Sequence, residues 1–246
     1  MQIAAIIQAR VGSRRLPGKV LKRLSGHSVL WHVVQRVSRA LTVDEIIVAT
    51  SNMPQDDHIV EECRRIGVPV FRGSENDVLA RFYYASQQIS SDYICRITAD
   101  NPLVEPGFID MASARLDVSG EDYLAVSGCP VGTGVELFSK EFLSYAHENA
   151  VDPYDREHVT PFMKMPGGSF SSGCIVLPPA LTYPDLRLTM DTQEDYDYFT
   201  ILYNCLYTER TIISFHDVMH LIREKRDVLY RKMDQAAKPV ESGAFK

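Results

Sequence analysis

Hydrophobic positions along the first 120 residues alternate between two periods. Short β-branched runs, apolar almost throughout, recur at 3–8, 45–50, 69–71 and 93–98. Between them, at 29–41, 56–66, 77–89 and 106–117, apolar residues return with the spacing of one helical face. Strands that are apolar on both faces and alternate with helices predict a Rossmann-like α/β fold, a mostly parallel sheet with helices on both faces. Ligands of such sheets sit beyond the carboxyl ends of the strands, which directs attention to residues 10–19, 51–55, 72–77 and 99–102. After Val118 the pattern is less regular. Residues 123–126 form an apolar stretch that enters the glycine-rich segment 128–134, followed by Glu136-Leu-Phe. Residues 139–149, 155–163, 193–207 and 217–233 read as helices, and 169–177 and 186–190 as strands. No repeat, low-complexity tract or linker divides the chain, so residues 1–246 are read as one domain with insertions.

Composition narrows the class. With 45% hydrophobic and 24% charged residues, global disorder is excluded. No apolar run approaches the roughly 18 residues that span a bilayer. The opening Met-Gln-Ile-Ala-Ala-Ile-Ile lacks the basic region of a signal peptide. Cys63, Cys95, Cys129, Cys174 and Cys205 form no C-x-x-C pair. Reduced thiols and a cytoplasmic location are therefore expected, with no membrane partner.

Charge sharpens the picture at one end. The first 43 residues carry eight Lys/Arg and no Asp or Glu, whereas the remaining 203 hold 18 Lys/Arg against 32 Asp/Glu. Such an opening is either a basic tail or a set of cations aimed at an anion. The overall charge of −6 weighs against a nucleic-acid partner. Half of these cations fall in Ala9-Arg10-Val-Gly12-Ser13-Arg14-Arg15-Leu-Pro-Gly18-Lys19, directly after the first predicted strand. Glycines there let backbone N–H groups approach phosphate oxygens, which Arg and Lys neutralise. The spacing is not that of the Walker loop, because five residues separate Gly12 from Gly18 and Val20 stands where a hydroxyl would bind Mg²⁺. The G-x-G-x-x-G dinucleotide fingerprint is absent too.

What the stretch does match is Ala-Arg-x-Gly-Ser-x-Arg-Leu-Pro-Gly-Lys. It resembles the signature of the cytidylyltransferases that activate sugar acids, the CMP-sugar synthetases, and is most similar to their spore-coat polysaccharide branch. The resemblance implies a nucleotide-diphospho-sugar transferase fold in which Ala9, Arg10, Gly12, Ser13, Arg15 and Lys19 wrap the triphosphate of CTP. Arg14 falls at a variable position. It further implies two Mg²⁺ ligands. Asp100 lies in Arg96-Ile-Thr-Ala-Asp-Asn-Pro-Leu, where many relatives have Gly for Ala99. Asp191 lies in Asp191-Thr-Gln-Glu-Asp195, where Gln193 replaces the family's Pro. Asp191 and Thr192 equally suit a helix N-cap. Arg10, Arg15, Lys19, Asp100 and Asp191 are the expected catalytic set.

The segment from Phe71 to Arg81 resembles the part of the family that approaches base and ribose, which nominates Ser74 and Arg81; Asp77 is an N-cap candidate. Segments 132–136 and 155–160 resemble those lining the acceptor half of the cleft. Glu136, Arg156 and His158 are then candidate ligands of an anionic small-molecule acceptor, with a helix surface or strand-end cap as the alternative. Residues 118–180 would form a small inserted β/α acceptor-side and dimerisation region of a homodimer, and 235–246 a flexible tail. The implied reaction is Mg²⁺-dependent transfer of CMP from CTP to a sugar-acid hydroxyl or a phosphonate oxygen, releasing pyrophosphate, with no dedicated general base. A glycosyltransferase or nucleotidyltransferase using another nucleotide, a noncatalytic nucleotide-binding regulator and a nucleic-acid binder remain as rivals. Outside these motifs, Trp31 and Tyr83 read as core and Tyr84 as surface. Arg36 and Arg39 read as solvated, and His216 and His220 as surface histidines rather than a zinc pair.

Overall fold

A computed structural model describes residues 1–164 and 169–224. The chain forms β1 (Ile3–Gln8), a short hairpin of β2 (Arg23–Leu24) and β3 (His27–Ser28), α1 (Val29–Val37), β4 (Val43–Ser51), α2 (Asp57–Ile66), β5 (Val70–Gly73), α3 (Val78–Ser86), β6 (Tyr93–Thr98) and α4 (Pro106–Ser119). The second half adds β7 (Tyr123–Ser127), β8 (Glu136–Ser139), α5 (Lys140–Asn149), α6 (Pro153–His158), α7 (Pro161–Lys164), β9 (Ser172–Val176), α8 (Gln193–Leu206) and α9 (Phe215–Glu224).

Seven strands make one sheet in the order β5-β4-β1-β6-β8-β7-β9. Only β8 runs against the rest, pairing antiparallel with both β6 and β7. The mostly parallel sheet expected from the sequence is therefore present. β1 is apolar on both faces because both are covered: Ala4 and Ile6 pack under α3, while Ile3, Ala5 and Ile7 pack with α1 and α4. From β1 the chain winds outward through β4 and β5, then returns to place β6 on the other flank of β1. That reversal opens a crevice between the carboxyl ends of β1 and β6, the strands that precede residues 10–19 and Asp100.

Side-chain caps set several helix starts: Ser28 for α1, Asp77 for α3 and Thr192 for α8 each accept a backbone N–H of the first turn. Several expectations are corrected. The 155–163 helix is broken into α6 and α7 at Val159, whose φ of 71° and ψ of −56° leave the helical region. Thr160 N–H donates to the His158 carbonyl across this γ-turn, a strained conformation for a β-branched residue. Residues 186–190 form no strand, only a bridge between Val131 and Arg187. That contact needs Gly132, since a Cβ there would lie 2.5 Å from the Leu188 carbonyl oxygen. The β2–β3 hairpin, unexpected from the sequence, turns on Ser25 and Gly26, both at positive φ. Trp31 is half-buried, stacked on His27. Arg36 is buried rather than solvated, and donates to the carbonyls of Val104 and Ile213 and to Glu105. The expected helix 217–233 begins at Phe215; its part beyond Glu224, like the expected tail, lies outside the described residues. No helix among the described residues is long and apolar enough to cross a membrane.

Candidate active site

A cleft of about 940 Å³ opens at the β1–β6 crevice. Its floor carries Gln8, Arg96 and Thr98 from the two strands, and its walls come from the loop after β1, the start of α3, and Pro153, Glu157 and His158 of α6. The loop after β1 is held from outside by Asp56. This buried carboxylate accepts from Val11 N–H at 2.7 Å and from Ser51 at the end of β4. Within the loop, Ser13 and Gly18 N–H groups both donate to the Val11 carbonyl. The fold thereby presents Arg10, Gly12, Ser13, Arg14, Arg15 and Lys19 along one side of the cleft.

Lys19 links the two aspartates that lie far apart in sequence. Its Nζ donates to Asp100 Oδ2 at 2.5 Å and to Asp191 Oδ1 at 2.8 Å. The backbone brings them together, as Met190 N–H donates to the Asp100 carbonyl at 3.0 Å. Asp191 is also approached by Arg15 Nη2 at 3.2 Å, and by Arg187 and Thr189 at its other oxygen. Burial alone would raise the Asp191 carboxyl, but the Lys19 hydrogen bond and the charges of Lys19, Arg187 and Arg15 hold it below the usual carboxylate range. The cap ambiguity resolves into a division of labour. Thr192 and Asp195 form a reciprocal capping box on α8, leaving Asp191 facing the cleft.

Ala9, Arg10, Gly12, Ser13, Arg15, Lys19, Arg81, Asp100, Asp191 and His158 thus all line one cleft. The remaining candidates do not. Ser74 opens onto an adjoining depression of about 750 Å³, although its carbonyl accepts from Arg81. Glu136 is turned inward, where its oxygens accept from Tyr123, Arg96, Thr160 and Lys164. Arg156 is likewise engaged, with Nη2 2.7 Å from Asp77 and Nη1 donating to the carbonyls of His147 and Ala150. In this geometry neither side chain lines the cleft: they fasten α6 to α3 and α7 to the sheet. Cleft residues that the sequence reading passed over are Gln8, Glu75, Asn76, Arg96 and Glu157. A lone charge inside the apolar run Tyr-Ile-Cys-Arg96-Ile-Thr was the available signal for Arg96.

The donor set suits a hard cation held jointly with phosphate. Asp100 and Asp191 offer two carboxylates around one point, and Mg²⁺ is commonly bound by one or two carboxylates with phosphate oxygens and water. Among the described residues no three His, Cys, Asp or Glu gather into an all-protein metal site. His216 and His220 instead stand beside Asp217 and Glu224 on the exposed face of α9.

Comparison with known proteins decides the family. The cytidylyltransferase family model matches residues 4–235. The chain belongs to the cytidylyltransferase family. This cytidylyltransferase is 34% identical over 231 residues to the spore coat polysaccharide biosynthesis protein SpsF of Bacillus subtilis, covering 92% of this chain and 95% of that protein. The 3-deoxy-manno-octulosonate cytidylyltransferase of Geobacter sulfurreducens is 37% identical over 118 residues, 47% of this chain and 46% of its own. Among solved structures, a cytidylyltransferase from Leptospira borgpetersenii superposes with a TM-score of 0.84 at 27% identity, covering 93% of this chain and 97% of that one. The resemblance read from the 9–19 loop, the fold class and the assignment as a CTP-dependent nucleotidyltransferase are all borne out.

Proposed function

We propose that this cytidylyltransferase transfers CMP from CTP to the hydroxyl of a sugar acid, releasing pyrophosphate, in the synthesis of surface-polysaccharide precursors. The single observation that carries the reading is the junction of Lys19 with Asp100 and Asp191 at the open end of the β1–β6 crevice. Backbone groups of Ala9, Gly12 and Ser13, with Arg10, Arg15 and Lys19, receive the triphosphate. Ser74 bounds the nucleotide side, Arg81 lies beneath it at the floor of the cleft, and Arg14 and His158 stand on the rim. The acceptor oxygen attacks the α-phosphorus, the bond to the β-bridging oxygen breaks, and Arg15 and Lys19 stabilise the charge on the departing pyrophosphate. Asp100 and Asp191 would hold Mg²⁺, which when bound supplies charge stabilisation at the phosphoryl oxygens. No side chain stands out as a dedicated base, and the hydroxyl proton passes to solvent. Residues 118–180 form the acceptor side of one domain, and the protein acts as a cytoplasmic homodimer.

The test is a nucleotide-exchange assay with sugar acids and phosphonates as acceptors, monitoring pyrophosphate with CTP, UTP, GTP and ATP. Pyrophosphate release that depends on CTP, on Mg²⁺ and on a sugar acid is expected. Equal use of all four nucleotides would contradict the reading, and a response to phosphonates alone would move the acceptor to that class.

A further inference from the structure

Three buried side-chain atoms without a hydrogen-bond partner among the described residues, Gln8 Oε1, Arg81 Nε and Arg96 Nε, belong to residues that line the cleft. They share one layer of the fold. Side chains alternate between faces along a strand, and Ala4, Ile6 and Ile94 all pack under α3 with Val78, Leu79 and Phe82. Gln8 and Arg96 continue that same face, and Arg81 meets it from α3. The apolar layer between sheet and helix therefore ends in a polar set at the floor of the cleft.

Arg81 carries the strongest signal. It is 2% exposed, and its Nη1 donates to the Ser74 carbonyl at 2.6 Å and more loosely to that of Glu75 at 3.5 Å. It makes no ion pair within 4.0 Å among the described residues. Of the acids whose charge reaches it, Asp77 is paired with Arg156, Asp56 holds the loop after β1, and Glu75 meets it through its carbonyl and makes no ion pair with it. Burial, then the like charge of Arg10, lowers its pKa to about 10, which still leaves it charged at neutral pH. Arg96 is paired with Glu136 at 2.8 Å, but that carboxylate also serves Lys164.

A buried guanidinium without a counter-ion is costly, and a neutral base cannot discharge it. The triphosphate has Arg10, Arg14, Arg15 and Lys19 on the loop, and at neutral pH it has no hydrogen to give to Gln8 Oε1. A carboxylate flanked by a hydroxyl meets both needs, since guanidinium groups receive carboxylates through parallel hydrogen bonds. We infer that Arg81 and Arg96, together with Gln8, form the subsite for the acceptor's carboxylate and its neighbouring hydroxyl, the role that the sequence had suggested for Arg156. This inference rests on the sugar-acid reading above.

The test is calorimetric titration of the CTP-loaded protein with 2-keto-3-deoxy sugar acids of six, eight and nine carbons, each paired with its C1 carboxamide. At least one acid should bind about 30-fold more tightly than its amide. Arg81→Met and Arg96→Met should each remove that preference while leaving CTP affinity within about threefold; Arg81→Lys should retain part of it. Should Arg81→Met fail to fold, Arg81→Lys and Arg96→Met carry the test. Equal binding of acid and amide by the unmodified protein, or no binding of any pair, would overturn the subsite. So would variants that weaken CTP and spare the acid, since the two arginines would then serve the triphosphate. Loss of the transfer reaction with the acid preference intact would instead sink the proposed reaction and leave the subsite standing.

Discussion

On the nucleotide side of the cleft, the reactive side chains sit in connections between elements: Lys19 in the loop after β1, Asp100 just past β6, and Asp191 just before the Thr192 cap of α8. Their partners are one another, joined through Lys19 Nζ. On the acceptor side, Glu136 lies within β8 and Arg156 within α6, and each is enclosed by protein partners. The contrast teaches that a polar residue of suggestive chemistry is available to a ligand where it faces the cleft and not where structural partners enclose it on every side. Glu136 and Arg156 have structural partners; Arg81, deep but without an ion pair among the described residues, does not.

Breaking the nucleotide side should produce the largest effect. Asp191→Asn is expected to lower kcat/KM about 1,000-fold, measured by pyrophosphate release. The α8 cap should survive, because its capping box uses Thr192 and Asp195. Loss of the charge that faces Lys19, Arg15 and Arg187 should lower the melting temperature. Retention of more than a tenth of the activity would separate Asp191 from the chemistry.

The acceptor side should answer in stability rather than in catalysis. Burial would raise the Glu136 carboxyl, but Arg96 and Lys164 overcome it and bring the pKa from 4.5 down to about 2. A depressed folded-state pKa contributes stability in full above the ordinary value and loses it as pH falls through the folded one. Glu136 should therefore stabilise above about pH 4.5 and cease to do so toward pH 2. Glu136→Gln should cost on the order of 3 kcal/mol at neutral pH and flatten the acid limb of urea unfolding between those two values. An acid limb identical to that of the unmodified protein would refute the ion-pair account. Arg156→Ala should cost about 2 kcal/mol through the loss of Asp77 and two backbone carbonyls, with KM for the acceptor changed less than in Arg81→Lys. A reversed order of the two KM effects would return Arg156 to the acceptor. Smallest of all, Thr192→Ala should cost about 1 kcal/mol by thermal unfolding while kcat stays within twofold; a large fall in kcat would show that cap and metal-side carboxylate are not separable.

The difference between the two sides also explains what could be read from the chain. β1 and β6 were legible to the residue, because a strand buried on both faces is apolar over most of its length. The 9–19 loop was legible because glycines, cations and a proline in fixed order have few structural uses. Arg36 was misread as solvated because its partners, the carbonyls of Val104 and Ile213, are contacts of tertiary structure that no local pattern announces. The break at Val159 was invisible for a related reason: helical periodicity continues through it, and only the packing of α6 against α3 and of Thr160 on Glu136 requires the turn. Asp191 and Thr192 carried two roles in adjacent residues, and sequence alone had no means of assigning them.

The account stands most directly on the fate of the α-phosphorus. With CTP labelled at that position, incubated with Mg²⁺ and the sugar-acid panel beside equally labelled UTP, ATP and GTP, the label should appear in a CMP–sugar acid conjugate. The pyrophosphate should be unlabelled, and the other three nucleotides should yield little conjugate. Label that remains in free nucleotide with every acceptor, or that enters conjugates equally from all four nucleotides, would contradict the account.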